Sequence, residues 1–189
     1  GDKQISTGTY RQSQGHPARF ASADHSEETM SQAKFNVRKV AVLGAGVMGA
    51  QIAAHLVNAK VQTVLFDLPA KEGNKNGIAL KAIAGLKKLK PAPLAGRDRA
   101  DYITPANYEE HLHLLQDCDL VIEAIAERMD WKADLYQKVA PHLGAHTIFA
   151  TNTSGLSINT LAQACPDSVR PRFCGVHFFN PPRYMHLVE

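Results

Sequence analysis

The chain has 189 residues, 44% of them apolar and 21% charged, with a formal net charge of +3. That length supports an ordinary folded domain with its own core, and the composition is in the globular range. The charge is too mild to argue for nucleic acid, although it would not repel a polyanionic small ligand, and no apolar run reaches membrane-spanning length.

Residues 1–29 read GDKQISTGTYRQSQGHPARFASADHSEET and are rich in Ser, Gly, Gln and His. Ile5, Tyr10 and Phe20 are too few large apolar residues to bury against anything. A disordered leader or an upstream extension is expected here, reaching to about residue 35, with a folded domain over 36–189. Met30 offers an alternative start. The segment has no apolar stretch of a secretory signal. Arg11, Arg19 and the serines hint at a transit peptide, against which Asp2 and Asp24 count.

Structure begins in VRKVAVLGAGVMGAQIAAHLVNA. Residues 40–43 are a continuous apolar run, the mark of a strand buried on both faces of a parallel sheet. Ile52, Ala53, Leu56 and Val57 then recur at helical spacing. VQTVLFD reads as a second buried strand. NGIALKAIAGLKKLK reads as an amphipathic helix with Ile78, Ala82 and Leu86 on one side, stopped by Pro91. A short strand is predicted near Ile103 and a helix over residues 108–115. DLVIEAI is a strand, MDWKADLYQKVAPHL a helix, HTIFATNTS a strand, SINTLAQAC a short helix and RPRFCGVHFF a strand. After the turn forced by Asn180-Pro181-Pro182, YMHLV reads as extended. Strands that alternate with helices imply an α/β, doubly wound, mainly parallel sheet with helices on both faces.

Gly44, Gly46 and Gly49 form G-x-G-x-x-G between a predicted strand and a predicted helix. The first glycine permits a tight turn, the second lets backbone N–H groups approach a pyrophosphate, and the third lets helix and strand pack closely. The helix N-terminus adds partial positive charge. Asp67 ends the second strand, 18 residues after Gly49, where an acid accepts hydrogen bonds from an adenosine ribose and repels a 2′-phosphate. No arginine follows it in Leu68-Pro69-Ala70, so NAD is expected rather than NADP.

VLGAGVMG, VIEAIAERMDWK, TNTSGLSI and HFFNPPRYMHLVE together resemble the NAD-binding domain of the L-3-hydroxyacyl-CoA dehydrogenases, including the dehydrogenase part of multifunctional fatty-acid oxidation proteins. The resemblance covers residues 36–189. It implies a Rossmann-like domain, followed in the family by a helical domain that dimerises and completes an acyl-CoA cleft. That domain is absent from this chain, so the chain is expected to be a fragment, with the parent a homodimer. The resemblance also implies oxidation of a 3-hydroxyacyl-CoA with NAD as acceptor, in a bacterial cytoplasm or a mitochondrial matrix. It places Met48 in the glycine loop against the cofactor and Asp67 on the ribose. Ile125, Ala126 and Glu127 line the nicotinamide half, with Lys132 one turn further on. Ser154 and Asn180 lie near the nicotinamide and the reacting oxygen. His177 is the catalytic base and Glu189 its partner. The stretch LPAKEGNKNG after Asp67 departs from the family pattern, in the region that contacts CoA.

The residues themselves argue for the same chemistry. Histidine suits proton removal from an alcohol because its unperturbed pKa, about 6.5, lies near working pH. His177 follows a predicted strand at the carboxyl edge, where such sheets bind ligands. The Asn180 turn can bring Glu189 beside it, where a carboxylate fixes the tautomer and stabilises the imidazolium. Ser154 can bond the substrate oxygen, and Asn180 either the substrate or the cofactor amide. Two other readings stay open: a non-catalytic NAD-binding or sensor protein, and a dehydrogenase of a related hydroxy acid without CoA.

The remaining candidates are weaker. Cys118, Cys165 and Cys174 are expected to be buried thiols in a reducing compartment. His111 and His113 are two apart on a predicted helix and make no metal pair, and His142, His146 and His186 are expected at the surface. Glu123 and Glu127 are four apart, but Glu123 belongs to a strand. Lys87, Lys88 and Lys90 read as a solvated helix face, with CoA phosphates as the other reading. Trp131 and Tyr136 are expected to be packing residues.

Overall fold

The computed structural model describes residues 35–189. The expectations for residues 1–29 and for Met30 lie outside the described residues. Six strands form one sheet: β1 (Lys39–Leu43), β2 (Gln62–Asp67), β3 (Ile103–Asn107), β4 (Leu120–Glu123), β5 (Ile148–Thr151) and β6 (Phe173–Gly175). Their order is β3-β2-β1-β4-β5-β6 and every pairing is parallel. Four α-helices cross between them: α1 (Val47–Asn58), α2 (Gly77–Leu86), α3 (Met129–Val139) and α4 (Ile158–Ala164). The chain winds outward from β1 to β3 and then restarts at β4 on the other side of β1. The carboxyl ends of β1 and β4 therefore diverge around a crevice, where such sheets bind their ligands.

The apolar strands put side chains into both layers. On one face Val40, Val42, Ile52, Ala53, Val57 and Leu65 are buried under α1 and α2. On the other, Leu43, Phe66, Val121, Tyr136, Phe149 and Leu161 are buried under α3 and α4. Tyr136 meets Phe149 edge to face at a centroid distance of 5.0 Å, so its expected packing role holds.

Several local expectations change. No α-helix forms over residues 108–115; Tyr108 is buried against Phe66 and only a 3-10 turn, Leu112–Leu115, follows. The Asn107 side chain captures the N–H groups of Glu109 and Glu110, an alternative to helical bonding. Helix α2 buries Ala79, Ile83 and Leu86, so its apolar face is rotated from the predicted one and Ile78 is exposed. Strand β6 stops at Gly175: the Val176 N–H still reaches the Thr151 carbonyl of β5, but that of His177 goes to the Glu189 carbonyl and that of Phe178 to the Asn152 side chain. The segment after Pro182 begins as a turn, and only Val188 pairs, in a single antiparallel bridge to Phe178.

Cys118 and Cys165 are buried and Cys174 is half-buried, all as free thiols. Burial pushes Cys118 and Cys165 up to about 11, which leaves them inert at neutral pH. Among the described residues no helix is long and apolar enough to cross a membrane, and no group of three His, Cys, Asp or Glu is placed to hold a metal ion.

Asp119 sits at the opposite edge of the sheet from the crevice. Its carboxylate accepts the N–H groups of Arg38 (2.8 Å) and Lys39 (3.2 Å) and so fixes the start of β1. The Arg38 N–H, first of several donors, holds the carboxyl below its ordinary range. A depressed native pKa means that this stabilisation is present above the unfolded value, about 3.9, and is lost as the pH falls through the lower native value. Asp119→Asn is therefore expected to flatten the loss of stability on acidification, read by urea unfolding at neutral and acid pH.

Candidate active site

The crevice is built from two loops in contact. Gly44 follows β1 with a φ of 104°, in the left-handed region, and donates its N–H to the Phe66 carbonyl at 2.9 Å. A Cβ on Gly44 would lie 2.9 Å from the Ala124 carbonyl oxygen of the loop after β4. At Gly49 a Cβ would lie 1.8 Å from the Gly44 carbonyl oxygen, so helix α1 meets its own loop at backbone contact. Gly49→Ala must push that helix off the loop, at a cost of about 1–3 kcal/mol. It is expected to lower the thermal midpoint and to weaken dinucleotide binding together, measured by melting with and without NADH.

Gly46 is different: nothing lies within 4 Å of where its Cβ would be. This glycine is the N-cap of α1, with no side-chain capping bond and no acid in the first turn. The first N–H groups of the helix are thus left for an anion, and the open space above Gly46 admits a pyrophosphate. The loop fits a dinucleotide on these two observations.

A groove runs from the loop in both directions. On the β2 side lies a cleft of about 460 Å³ that includes Gly44, Asp67, Leu68, Tyr108 and Trp131. The Asp67 carboxylate ends β2 there and accepts the N–H groups of Ala45 (2.6 Å) and Leu68 (2.7 Å). Trp131 is not a packing residue. It is 50% exposed on the wall of this cleft, with the Arg128 guanidinium 4.5 Å from its ring. On the β5 side lies a cavity of about 540 Å³ lined by Met48, Glu127, Asn152, Ser154, His177 and Asn180 among others. The two share Gly46, Ala124, Ile125 and Ala126, which makes them halves of one groove over the switch point.

His177 lies just past β6 and pairs with Glu189 through the main chain. The His177 N–H donates to the Glu189 carbonyl at 2.7 Å, and the Glu189 N–H returns to the His177 carbonyl at 3.0 Å. Their side chains follow, with Nδ1 3.7 Å from Oε2. That is beyond hydrogen-bond length but close enough for charge attraction once the ring is protonated. The imidazole rests on Phe179, at a centroid distance of 4.6 Å.

Ser154 is held by Glu127. One carboxylate oxygen, Oε1, accepts the Ser154 hydroxyl at 2.7 Å and the Ser154 N–H at 2.8 Å, and both oxygens accept the Gly155 N–H at 3.1 Å. These donors, the hydroxyl foremost, hold the Glu127 carboxyl below its ordinary range. Glu127 thereby ties the loop after β4 to the loop after β5.

Lys132 departs from its expected place on the cofactor side. Its side chain is 1% exposed and its ammonium points inward, 2.5 Å from Glu123 Oε1; Lys132 lines neither half of the groove. Glu123 Oε1 also accepts the Ile125 N–H, while Oε2 accepts the hydroxyls of Tyr136 (2.9 Å) and Thr151 (2.8 Å). Sequence reasoning passed over this buried cluster because it weighed Glu123 only against Glu127. The available signal was an acid ending an apolar run, with a lysine nine residues on. Asn152 and Gln51 were also passed over. Asn152 Oδ1 accepts the Phe178 N–H at 2.8 Å and so sets the backbone beside His177. Gln51 Nε2 reaches Asn180 Oδ1 at 3.3 Å.

Comparisons with known proteins agree with this geometry. Residues 39–189 match the family described as 3-hydroxyacyl-CoA dehydrogenase, NAD binding domain. The chain is 46% identical over 154 residues to a putative fatty acid oxidation complex trifunctional enzyme of Rickettsia felis, covering 81% of this chain and 21% of that protein. It is 42% identical to a probable 3-hydroxyacyl-CoA dehydrogenase of Deinococcus radiodurans, covering 81% of this chain and 44% of the relative. A crystal structure of 3-hydroxybutyryl-CoA dehydrogenase from Escherichia coli superposes with a TM-score of 0.64 at 33% identity, over 81% of this chain and 32% of that one. The chain thus spans less than half the length of each of these proteins. With a family match over nearly the whole described region, a β3-β2-β1-β4-β5-β6 sheet and a glycine loop open to a pyrophosphate, this chain belongs to the 3-hydroxyacyl-CoA dehydrogenase NAD-binding domain family.

Proposed function

We propose that the protein carrying this chain oxidises L-3-hydroxyacyl-CoA to 3-oxoacyl-CoA in fatty-acid β-oxidation, with His177 as the general base. The observation that carries this reading is the pairing of His177 with Glu189 on the wall of the cavity that continues the dinucleotide groove. His177 Nδ1 faces Glu189, which leaves Nε2 to take the hydroxyl proton. The carboxylate then stabilises the imidazolium that forms, and the cation stays in place because the main chain holds both residues. Bound NAD supplies the hydride acceptor at its nicotinamide ring. The Ser154 hydroxyl has a single proton, which here goes to Glu127, so it donates to a substrate oxygen only after rotating. The acyl-CoA thioester and assembly into a dimer belong to the same proposal, supported by the family and by the names of the relatives.

Trp131 is the sole tryptophan of the chain and lies in the groove, so its fluorescence reports occupancy. NADH is expected to quench it, and NADPH to do so only at much higher concentration, because Asp67 repels a 2′-phosphate. Asp67→Ala is expected to narrow that gap. Equal affinities of the unchanged chain for the two nucleotides would sink the ribose assignment. Turnover of acetoacetyl-CoA by the whole protein, followed by loss of NADH absorbance, tests the reaction itself; no turnover would overturn it.

A further inference from the structure

The donors and acceptors around Asn180 are arranged in one direction. Gln51 lies on the inner side of α1, 7% exposed, one turn after Val47. Its amide nitrogen donates to the Val47 carbonyl at 3.2 Å and to Asn180 Oδ1 at 3.3 Å. A backbone carbonyl can only accept, so the Val47 oxygen settles which end of the Gln51 amide faces it. With the nitrogen there, the two amide protons serve Val47 and Asn180. Asn180 must then present its oxygen to Gln51 and turn its own NH₂ away. That NH₂ has no partner among the described residues, and Asn180 lines the cavity that holds His177 and Ser154. Elsewhere on the cavity wall the Ser154 hydroxyl goes to Glu127, and Asn152 has its oxygen on the Phe178 N–H.

We propose that Gln51 is a positioning residue for the cofactor site: through the Val47 carbonyl it fixes the Asn180 amide so that its NH₂ donates into the cavity, to the carboxamide oxygen of a bound nicotinamide. This rests on the NAD reading above. A ring placed to take hydride beside His177 has its carboxamide at the same end of the groove, and that oxygen accepts two hydrogen bonds but donates none. With its NH₂ inward, Asn180 complements that oxygen. With its oxygen inward, it would instead face the NH₂ end of the carboxamide. Helix α1 therefore holds the pyrophosphate at its first turn and, through Gln51 in its second, sets the polarity of the far end of the groove.

A double-mutant cycle on the full chain tests this, with dissociation constants for NADH and for ADP-ribose, which lacks the nicotinamide, read from Trp131 fluorescence. Gln51→Met keeps the length of the side chain and removes the donor. Gln51→Met and Asn180→Ala are each expected to weaken NADH about three- to tenfold, the worth of one neutral hydrogen bond. The double variant should be no weaker than Asn180→Ala alone, because Gln51 acts only through Asn180. ADP-ribose affinity should stay within about twofold throughout, since a single hydrogen bond is lost at the other end of the ligand. Gln51→Glu, which offers acceptors where a donor stood, should weaken NADH at least as much as Gln51→Met. Additive losses in the double variant, an equal loss of ADP-ribose, or NADH affinity unchanged in Gln51→Met would each overturn the inference. Failure of the unchanged chain to bind NADH would overturn it together with the cofactor reading, and that result is distinct from NADH binding with additive losses.

Discussion

His177→Ala in the whole protein is expected to lower turnover in the proposed reaction about 10²–10⁴-fold, the range for removal of a general base, with the dissociation constant of NADH nearly unchanged. The two effects separate because of where the ring sits. Gly44 and Asp67 line the other half of the groove, which His177 does not reach. The partner imidazole edge faces Glu189 at 3.7 Å. Glu189→Gln should therefore lower turnover as well, but by less, since the main-chain bonds that place His177 survive it. Steady-state rates beside NADH titrations measure both. Turnover of His177→Ala within about threefold of the unchanged protein, well short of the loss expected for a base, would remove it from that role.

The second large effect concerns stability. Lys132→Met is expected to destabilise the domain by about 3–5 kcal/mol, because it leaves Glu123 as an unpaired charge in the interior. Against a whole-domain stability of about 5–15 kcal/mol that is a large share. Neutralising the acid as well is not expected to restore the loss. The Tyr136 and Thr151 hydroxyls and the Ile125 N–H all donate to Glu123, and a Glu123→Leu/Lys132→Met pair would strand those of Tyr136 and Ile125, while Thr151 keeps the Thr153 hydroxyl as a partner. Urea unfolding of the single and double variants gives the answer. A double variant as stable as the unchanged chain would show that the cluster is replaceable by packing alone.

The alternation of apolar strands with helical spacing carried the fold class, and the glycine spacing with Asp67 carried the groove. Both are local patterns set by burial and by backbone clearance, so they are written in contiguous residues. What was not legible depends on contacts between distant segments. The resemblance puts Lys132 at the groove, yet it shares the buried face of α3 with Leu135, Tyr136 and Val139 and meets there an acid nine residues earlier that is buried with it. Residues 108–115 carry helix-forming residues, but the Asn107 side chain takes the first N–H groups and Tyr108 is drawn under Phe66. Trp131 looks like core by composition and is wall by position. Gln51 and Asn180 are 129 residues apart, and nothing in either neighbourhood announces the other.

The main-chain pairing of residues 177 and 189 has a consequence for how this site can vary. Peptide N–H and C=O groups are the same for every residue but proline, so the two reciprocal bonds are indifferent to which side chains they carry. Exchanges at position 189 short of proline thus alter the electrostatic surroundings of the imidazole without re-aiming it. A saturation series there separates charge from geometry, which most catalytic pairs, tethered by their side chains alone, do not permit.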